Sequence, residues 1–242
     1  MPRLEALRGD LAVLRRMLGG MPRAASHAAA LSRFYAPQAL DYDRFRERLL
    51  RGRAELIARV PLPGNAHVVE LGGGTGRNAE FFGDRLKQIA ALEIVDLCAP
   101  LLVQAHKRAR TIAPLRVIEA DATTYRPARP VDCVYFSYAL TMIPDWRRAI
   151  TNAISMLKPG GVLGAVDFHV SSPKPDLSCV RHDMITRAFW PAWFGHDGVR
   201  LDPQHLSTLR RLLPDHDFTE SRAAVPFLPF GKVPYYVFVG RV

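Results

Sequence analysis

The sequence is poor in cysteine and in long uncharged segments, and each shortage excludes a class of protein. Its three cysteines, Cys98, Cys133 and Cys179, lie far apart and form no Cys-x-x-Cys pair. This argues against a disulfide framework or a zinc ribbon, and we expect a reducing, cytoplasmic environment and no bound metal. The longest run without a charged residue is only 12 residues long, 133–144, whereas a membrane-spanning helix needs about 18 to 20 apolar residues. Residues 1–10 already carry both charge signs, unlike the apolar stretch of a signal peptide.

Composition and charge are those of a folded protein with an anionic partner. The chain has 242 residues, of which 48% are hydrophobic and 23% charged, which is typical of a globular protein of one domain with a small appendage. The net charge is +10, and residues 1–60 contribute +6 of it through 12 arginines against 6 acids. Such a basic end indicates a membrane surface, a nucleic acid or an acidic substrate, and charge alone does not choose among them.

The first 60 residues predict helices. An apolar stripe at spacings of three and four, flanked by arginines, predicts a first helix that either packs on the protein or lies on a membrane surface. It is formed by Leu4, Leu7, Leu11, Leu14 and Leu18. Further helices are expected at about 27–35 and 42–60, before Pro61, Pro63 and Gly64 break the pattern. We therefore divide the chain into a helical extension or cap, 1–60, and a main domain, 61–242.

From residue 66 onward, short apolar runs alternate with segments of helical length. The predicted strands are 68–71, 90–95, 116–119, 131–137 and 162–168. This alternation indicates right-handed βαβ units, and hence an α/β fold with a mostly parallel sheet and helices on both faces. Two more strands, 223–230 and 233–239, are joined by Gly231 and Lys232 and predict an antiparallel hairpin that completes a seven-stranded sheet.

A glycine-rich loop follows the first strand. The stretch Val68 to Asn78 reads VVELGGGTGRN, an apolar strand that ends in an acid, then glycines, then a predicted helix. Glycines allow positive φ and close approach of the backbone to a ligand. The ExGxGxG pattern resembles motif I of the class I S-adenosylmethionine-dependent methyltransferases. The resemblance implies a Rossmann-like fold, S-adenosylmethionine as cofactor, and a cofactor contact from Glu70, Gly72, Gly74 and Gly76.

Acids at the ends of the next strands agree with that family. Asp96 with Leu97 ends the second strand where the family's ribose-binding acid lies, and Glu93 competes with Asp96 for the role. Asp121 ends the third strand, where the resemblance implies contact with the adenine amino group. The backbone of Ala122 would then meet a ring nitrogen. The stretch 157–163, LKPGGVL, looks like the family's turn before strand five.

Segments outside motif I resemble the N-methyltransferase component of betaine lipid synthases. They are Phe34-Tyr35 with 42–46, 70–82 (ELGGGTGRNAEFF), 95–98, 136–146 (FSYALTMIPDW), 189–199 (FWPAWFGHDGV) and 233–240 (VPYYVFVG). The resemblance implies three methyl transfers to the amine of diacylglyceryl homoserine at a membrane surface. A separate aminocarboxypropyl transferase would supply that lipid, because this chain is too short to contain it. The basic N-terminal stripe would hold the enzyme on the inner face of the membrane.

Candidate acceptor-site residues follow from this reading. Tyr138 ends strand four, where the methyl group should lie. The candidates for base or amine binding are His182, His196 and Asp197, each of which also reads as a structural residue. Trp190, Trp193 and Phe194 would line the site, where aromatic faces attract a methylated ammonium, or would serve as ordinary core.

Three further residues are expected at the cofactor. Tyr42 and Arg46 would close over it, because a preceding helix caps this pocket in related folds; otherwise they form a solvated helix face. Ser137 would contact it from the end of strand four.

Other functions stay open. The leading alternative is a methyltransferase of a quinone or another small-molecule acceptor, and a non-catalytic cofactor-binding module is a third reading. A nucleic-acid substrate is less favoured, because the sequence has no Asn-Pro-Pro-Tyr or Asp-Pro-Pro-Tyr stretch, the mark of enzymes that methylate base or protein amide nitrogens.

Overall fold

The computed structural model describes residues 20–22, 24–39, 42–226, 228 and 231–242. Its centre is a seven-stranded sheet in the order β3-β2-β1-β4-β5-β7-β6. The strands are β1 Ala66–Leu71, β2 Ile89–Asp96, β3 Leu115–Glu119, β4 Val131–Ser137, β5 Leu157–Phe168, β6 Asp215–Ala224 and β7 Lys232–Arg241. Only β7 runs antiparallel to its neighbours, pairing with β5 and β6. The predicted Rossmann-like α/β fold, with its mostly parallel sheet, antiparallel C-terminal strands and helical N-terminal region, is confirmed.

Helices cover both faces of the sheet. They are α1 His27–Tyr35, α2 Tyr42–Leu49, α3 Arg53–Arg59, α4 Ala99–Ala109, α5 Trp146–Met156, α6 Met184–Gly195 and α7 Gln204–Leu212, with a 3-10 segment at Arg77–Gln88. One core layer joins the sheet to α2, α3, α4 and α6, and the other joins it to α5 and α7. All six residues of β1 are buried, as expected for a parallel strand covered on both faces.

Three predicted elements differ from the structure. The helix expected over 42–60 is two helices, because Gly52 takes a φ of +80° between α2 and α3. The glycine loop leads into a 3-10 segment with a non-helical residue, Gly83, instead of a regular helix. Strand β5 begins at Leu157 and contains the predicted turn as a bulge, since β4 residues Val131 and Cys133 pair with Leu157 and Val162.

The C-terminal hairpin is also shifted. Strand β6 ends at Ala224, nine residues after it begins at Asp215. The predicted strand 223–230 therefore overlaps β6 only at residues 223 and 224, and the following Val225 and Leu228 are half-buried against the core. The predicted helix around 4–18 lies outside the described residues.

Candidate active site

A cavity of about 360 Å³ opens at the carboxyl ends of β1, β2 and β4, beneath α1. Strand ends of this kind, where the connections diverge, are the usual ligand site of an open α/β sheet. Its wall is lined by His27, Leu31, Tyr35, Gly72, Gly74, Val95, Asp96, Leu97, Cys98, Leu101, Ala120, Asp121, Ala122, Thr123, Tyr138, Ala139, Met142, Ile143, Pro144, Asp145 and Arg148. The fold therefore places the following predicted site residues around one cavity: the glycine loop, Asp96, Leu97, Asp121, Ala122 and Tyr138.

The glycine loop forms the floor of the cavity. Gly72, Gly74 and Gly76 have φ values of +74°, +53° and +70°, a region that side chains rarely adopt. A Cβ on Gly72 would come within 2.5 Å of the Cβ of Ala139. Gly72 and Gly74 line the cavity, whereas Gly76 precedes the 3-10 segment and packs against α4. The loop thus presents bare backbone to a ligand at its first two alternating glycines.

Asp96 is fixed at the cavity wall by the loop itself. One carboxylate oxygen accepts from the Gly74 N–H at 2.8 Å, and the other accepts from the Cys98 N–H at 2.7 Å. Burial raises the pKa of Asp96 and these backbone donors oppose the rise. Glu93, the competing acid, instead accepts from the Tyr125 hydroxyl at 2.6 Å and contacts His67 Nε2 at 3.1 Å, away from the cavity. The geometry therefore favours Asp96 over Glu93.

The third-strand end supplies the opposite wall. Asp121 accepts from the Thr123 N–H at 2.7 Å, which fixes the turn after β3. Asn152 on α5 donates to the Ala122 carbonyl at 2.9 Å. A third contributor was not foreseen: α1 carries His27 to this wall, where burial lowers the pKa of the imidazole and Asp121 raises it.

Glu70 lies beneath the loop and not on the cavity wall. Its carboxylate is fully buried and accepts from Asn78 Nδ2 at 2.6 Å and from the Tyr135 hydroxyl at 2.9 Å. Burial raises its pKa to about 7, although both donors and Arg53 favour the charged form. The expected cofactor contact is thus replaced by a supporting one, because Glu70 ties β1 and β4 to the segment that follows the loop.

Tyr138 lines the cavity but its hydroxyl is engaged elsewhere. The residue has a φ of +54° and its N–H donates to the Val166 carbonyl at 2.8 Å. The hydroxyl donates to the Arg51 carbonyl at 2.6 Å. Burial raises the pKa of the phenol well above its ordinary value. The Tyr138 hydroxyl therefore serves as a hydrogen-bond donor to the backbone, and the side chain shapes the cavity wall.

The other predicted acceptor-site residues lie away from the cavity lining. His182 Nδ1 accepts from the Ser171 N–H at 2.9 Å, and burial lowers the pKa of the ring to about 4. The His196 carbonyl accepts from the Met21 N–H at 3.0 Å. Asp197 is buried, which raises its pKa to about 6, and nearby Arg46 opposes the rise. The structure thus gives His182 a loop-holding role and brings Asp197 close to α2.

The predicted cap residues are only partly placed by the structure. Arg46 is buried near Asp197 and does not line the cavity. The Tyr42 side chain lies outside the described residues. Ser137 ends β4, and its buried hydroxyl has no hydrogen-bond partner in the described part of the chain. Above the cavity, α1 places Leu31 and Tyr35 on the wall.

An aromatic column runs from the cavity wall toward the surface. Tyr138 meets Phe168 edge-on at 4.7 Å between ring centroids, and Phe168 stacks on Phe194 at 4.6 Å. Phe194 in turn stacks on Trp190 at 5.8 Å. Trp190 and Phe194 are therefore core residues behind the cavity, whereas Trp193 is 40% exposed.

A cavity at the strand ends, a glycine loop and two acids on opposite walls are typical of an α/β fold that binds a nucleoside cofactor. Comparison with known proteins shows which family this fold belongs to. The profile of the family described as "Methyltransferase domain" matches residues 42–220. The chain belongs to this family, and its domain is of the class I S-adenosylmethionine-dependent methyltransferase type.

Curated relatives and solved structures agree with this class. A trans-aconitate 2-methyltransferase of Methylobacterium radiotolerans is 33% identical over 158 residues, 65% of this chain and 58% of its own. This chain spans about half the length of the curated relatives it matches. The 1,6-didemethyltoxoflavin-N1-methyltransferase of Burkholderia thailandensis, with S-adenosylhomocysteine bound, has a TM-score of 0.60 at 19% identity, covering 91% of both chains. The Haemonchus contortus phosphoethanolamine N-methyltransferase 2 has a TM-score of 0.66 at 12% identity, covering 91% of this chain and 61% of that one. These two likenesses show the fold alone.

The residues present fit S-adenosylmethionine. The positive φ of Gly72 and Gly74 leaves backbone exposed where a Cβ would fill the floor. Asp96 offers carboxylate lone pairs beside that floor, and Asp121 offers them on the opposite wall. Glu70 and Tyr138 hold the floor and wall from behind. Within the described residues, no helix is long and apolar enough to cross a membrane.

Proposed function

We propose that this protein transfers a methyl group from S-adenosylmethionine to a small-molecule acceptor. The observation that carries the proposal is the likeness, at about one-third identity, to relatives named trans-aconitate 2-methyltransferase. One cationic side chain on the cavity wall, that of Arg148, supports an acceptor that carries a carboxylate. These findings favour the small-acceptor alternative over betaine lipid synthesis.

The mechanism requires the chain to orient and desolvate the reactants. The cofactor, when bound, supplies a methyl group activated by a sulfonium. Gly72 and Gly74 would hold its amino-acid end, Asp96 its ribose and Asp121 its adenine. A carboxylate oxygen is already deprotonated at neutral pH, so transfer to it needs no base. A carboxylate acceptor therefore agrees with a cavity wall on which the Tyr138 phenol stays neutral and is not available as a base. Rate enhancement would come chiefly from proximity and exclusion of water.

The proposal is tested with labelled cofactor and a panel of acceptors. Purified protein is incubated with methyl-labelled S-adenosylmethionine and trans-aconitate, other small carboxylic acids, quinols or small amines. We expect label to move to a member of the panel, and product mass to identify it. Protein that binds the cofactor but labels none of the panel would contradict a small acceptor.

A second candidate is trimethylation of the amine of diacylglyceryl homoserine. It is favoured by the resemblance in 136–146, 189–199 and 233–240. The aromatic column also leads from the cavity wall to the buried Trp190, which contacts the exposed Phe189. In that case the substrate would come from a separate aminocarboxypropyl transferase and the enzyme would work on the cytoplasmic membrane surface. Burial and a nearby sulfonium would lower the pKa of the acceptor amine and release its proton before attack.

Lipid mass spectrometry separates the two candidates. A host supplied with diacylglyceryl homoserine is compared with and without the protein. A gain of three methyl groups on that lipid would establish the second candidate and displace the first. Unchanged lipid, in cells whose purified protein binds S-adenosylmethionine, would remove it.

A further inference from the structure

The outward side of α6 and the loop before it is unusually apolar. Of the nine exposed large hydrophobic side chains in the described part of the chain, six lie between residues 177 and 193. They form what we call the α6 face: Leu177, Val180, Met184, Ile185, Phe189 and Trp193. Exposed apolar patches of this kind mark interaction sites, whereas single exposed apolar residues are ordinary.

The helix beneath this face is firmly anchored. Trp190 and Phe194 are buried at 4% and 1% exposure and stack in the aromatic column behind the cavity. The side chain of Asp183 caps the helix by accepting from the Thr186 N–H at 2.7 Å. Arg187 is the only charged residue of α6 and is half-buried. The outward side of this well-fixed helix is therefore mostly apolar.

The shape of the α6 face indicates a fluid partner. Leu177 is 108% exposed, and Met184 and Ile185 are 76% and 77% exposed. These side chains stand out from the surface, which suits insertion among lipid chains better than the flat, close fit of a protein interface. Phe189 stacks on Trp193 at 5.7 Å, and Trp side chains favour the level of lipid headgroups.

Charge around the face fits an anionic surface. Lys174 and Arg181, in the loop before α6, are exposed. Of the nearby acids, Asp176 pairs with Arg210 at 2.9 Å and Glu220 contacts His169 at 3.1 Å, while the exposed Asp183 caps α6. The whole chain carries a formal charge of +10. Basic residues near a bilayer are attracted by its anionic lipids within a Debye length.

We propose that the α6 face docks the protein on an anionic lipid bilayer. The apolar side chains would enter the headgroup region while the surrounding basic residues meet anionic lipid. The aromatic column would then lie between the docked helix α6 and Tyr138 at the cavity wall. This docking goes beyond the proposed function and does not depend on which acceptor is methylated.

The test is co-sedimentation of the full-length protein with vesicles of equal parts phosphatidylglycerol and phosphatidylcholine. The double variant Ile185→Glu/Phe189→Glu alters the α6 face, and Val103→Glu/Leu212→Glu is the matched control. Val103 and Leu212 are also exposed apolar residues, 54% and 42%, on other helices. Both variants add two negative charges. A difference in vesicle binding between them therefore reports where on the surface the substitutions lie. Calorimetry with S-adenosylmethionine checks that both remain folded.

The proposal expects the α6 variant to lose vesicle affinity about tenfold or more, since it replaces two inserted apolar side chains. The control should keep its affinity within about threefold, and pure phosphatidylcholine should bind the unaltered protein less. Absence of vesicle binding by the unaltered protein would overturn the proposal, as would equal loss in both variants. The unaltered protein could instead form a dimer, fail to bind vesicles and become monomeric only in the α6 variant. That result would assign the face to a second copy of the chain and would also overturn the proposal.

Discussion

At the scale of single residues, the two carboxylates of β2 have opposite surroundings. Asp96 lies on the cavity wall against the Gly74 N–H, while Glu93 is held by Tyr125 and His67. We predict that Asp96→Asn raises the dissociation constant for S-adenosylmethionine by about ten- to a hundredfold, the worth of a charge-assisted hydrogen bond. Calorimetry measures it, with Glu93→Gln as the matched control. Equal weakening by both variants would contradict the assignment of the ribose site to Asp96.

Tyr138 gives a second test at this scale. Its hydroxyl donates to the Arg51 carbonyl and stays neutral. Tyr138→Phe should therefore lower the free energy of unfolding by about 1 kcal/mol, or Tm by about 2 to 4 °C. Methyl transfer should persist, whereas loss of a general base would slow it by about 10²- to 10⁴-fold. Thermal unfolding and single-turnover kinetics provide the two readouts, and a large kinetic loss without a change in Tm would restore Tyr138 as a catalytic group.

Glu70 predicts a pH dependence of stability. Burial raises its pKa to about 7 in the folded protein, above the ordinary value of 4.5. Between these values the folded state keeps a proton that the unfolded state has lost, so the contribution of Glu70 to stability falls as pH rises. Relative to Glu70→Gln, the unaltered protein should lose up to about 3 kcal/mol between pH 4.5 and 7.5. Urea unfolding of both proteins across this range checks the sign, and curves that stay parallel would contradict it.

Motif reading predicted the carboxylates at the ends of strands better than those within them. Asp96 and Asp121 line the cavity as expected, but Glu70 points beneath the loop. The sequence could not decide this for Glu70, because β1 is buried on both faces and lacks the polar and apolar alternation that reveals side-chain direction. His182 was misplaced because its role depends on Ser171, a contact made after the chain has folded.

At the scale of elements, the break between α2 and α3 depends on one residue. Gly52 has a φ of +80°, and a Cβ there would meet the Tyr235 ring at 2.7 Å. We predict that Gly52→Ala lowers the free energy of unfolding by about 2 kcal/mol, combining left-handed strain with a clash. Gly64→Ala is the control, since nothing lies within 4 Å of its Cβ position. Chemical denaturation compares the two; similar stability would show that the helices can join without cost.

The shifted β6 has a different cause. It is an edge strand, and its residues alternate between half-exposed and exposed along most of their length. Because neither face is fully buried, the stretch DHDFTESR carries little apolar signal. The apolar run that predicted a strand begins at residue 223, where β6 is already ending. The central strand β4, buried at most positions, was identified at its observed bounds.

At the scale of the whole molecule, the cofactor half of the fold was predictable and the acceptor half was not. The cofactor half consists of short motifs that follow one another along the chain: β1, the glycine loop, Asp96 and Asp121. The other half is assembled by α6 and by contacts such as Tyr138 with Arg51, which join residues 87 positions apart. No local pattern encodes such contacts, so the resemblance to one lipid enzyme and the likeness to trans-aconitate enzymes lead to different acceptors.

Cofactor binding should stabilise the molecule as a unit, because the cavity joins α1, the glycine loop and the ends of β2 and β4. At about 100 times its dissociation constant, S-adenosylmethionine should add about 2.7 kcal/mol to the free energy of unfolding. For a chain of this size that raises Tm by about 5 to 10 °C. Scanning calorimetry with matched concentrations of NAD separates this pocket from a dinucleotide site, since both cofactors contain adenosine. The result expected is a shift with S-adenosylmethionine alone. An equal shift with NAD would mean that the loop and Asp96 recognise only adenosine and that the amino-acid end lies outside the glycine floor.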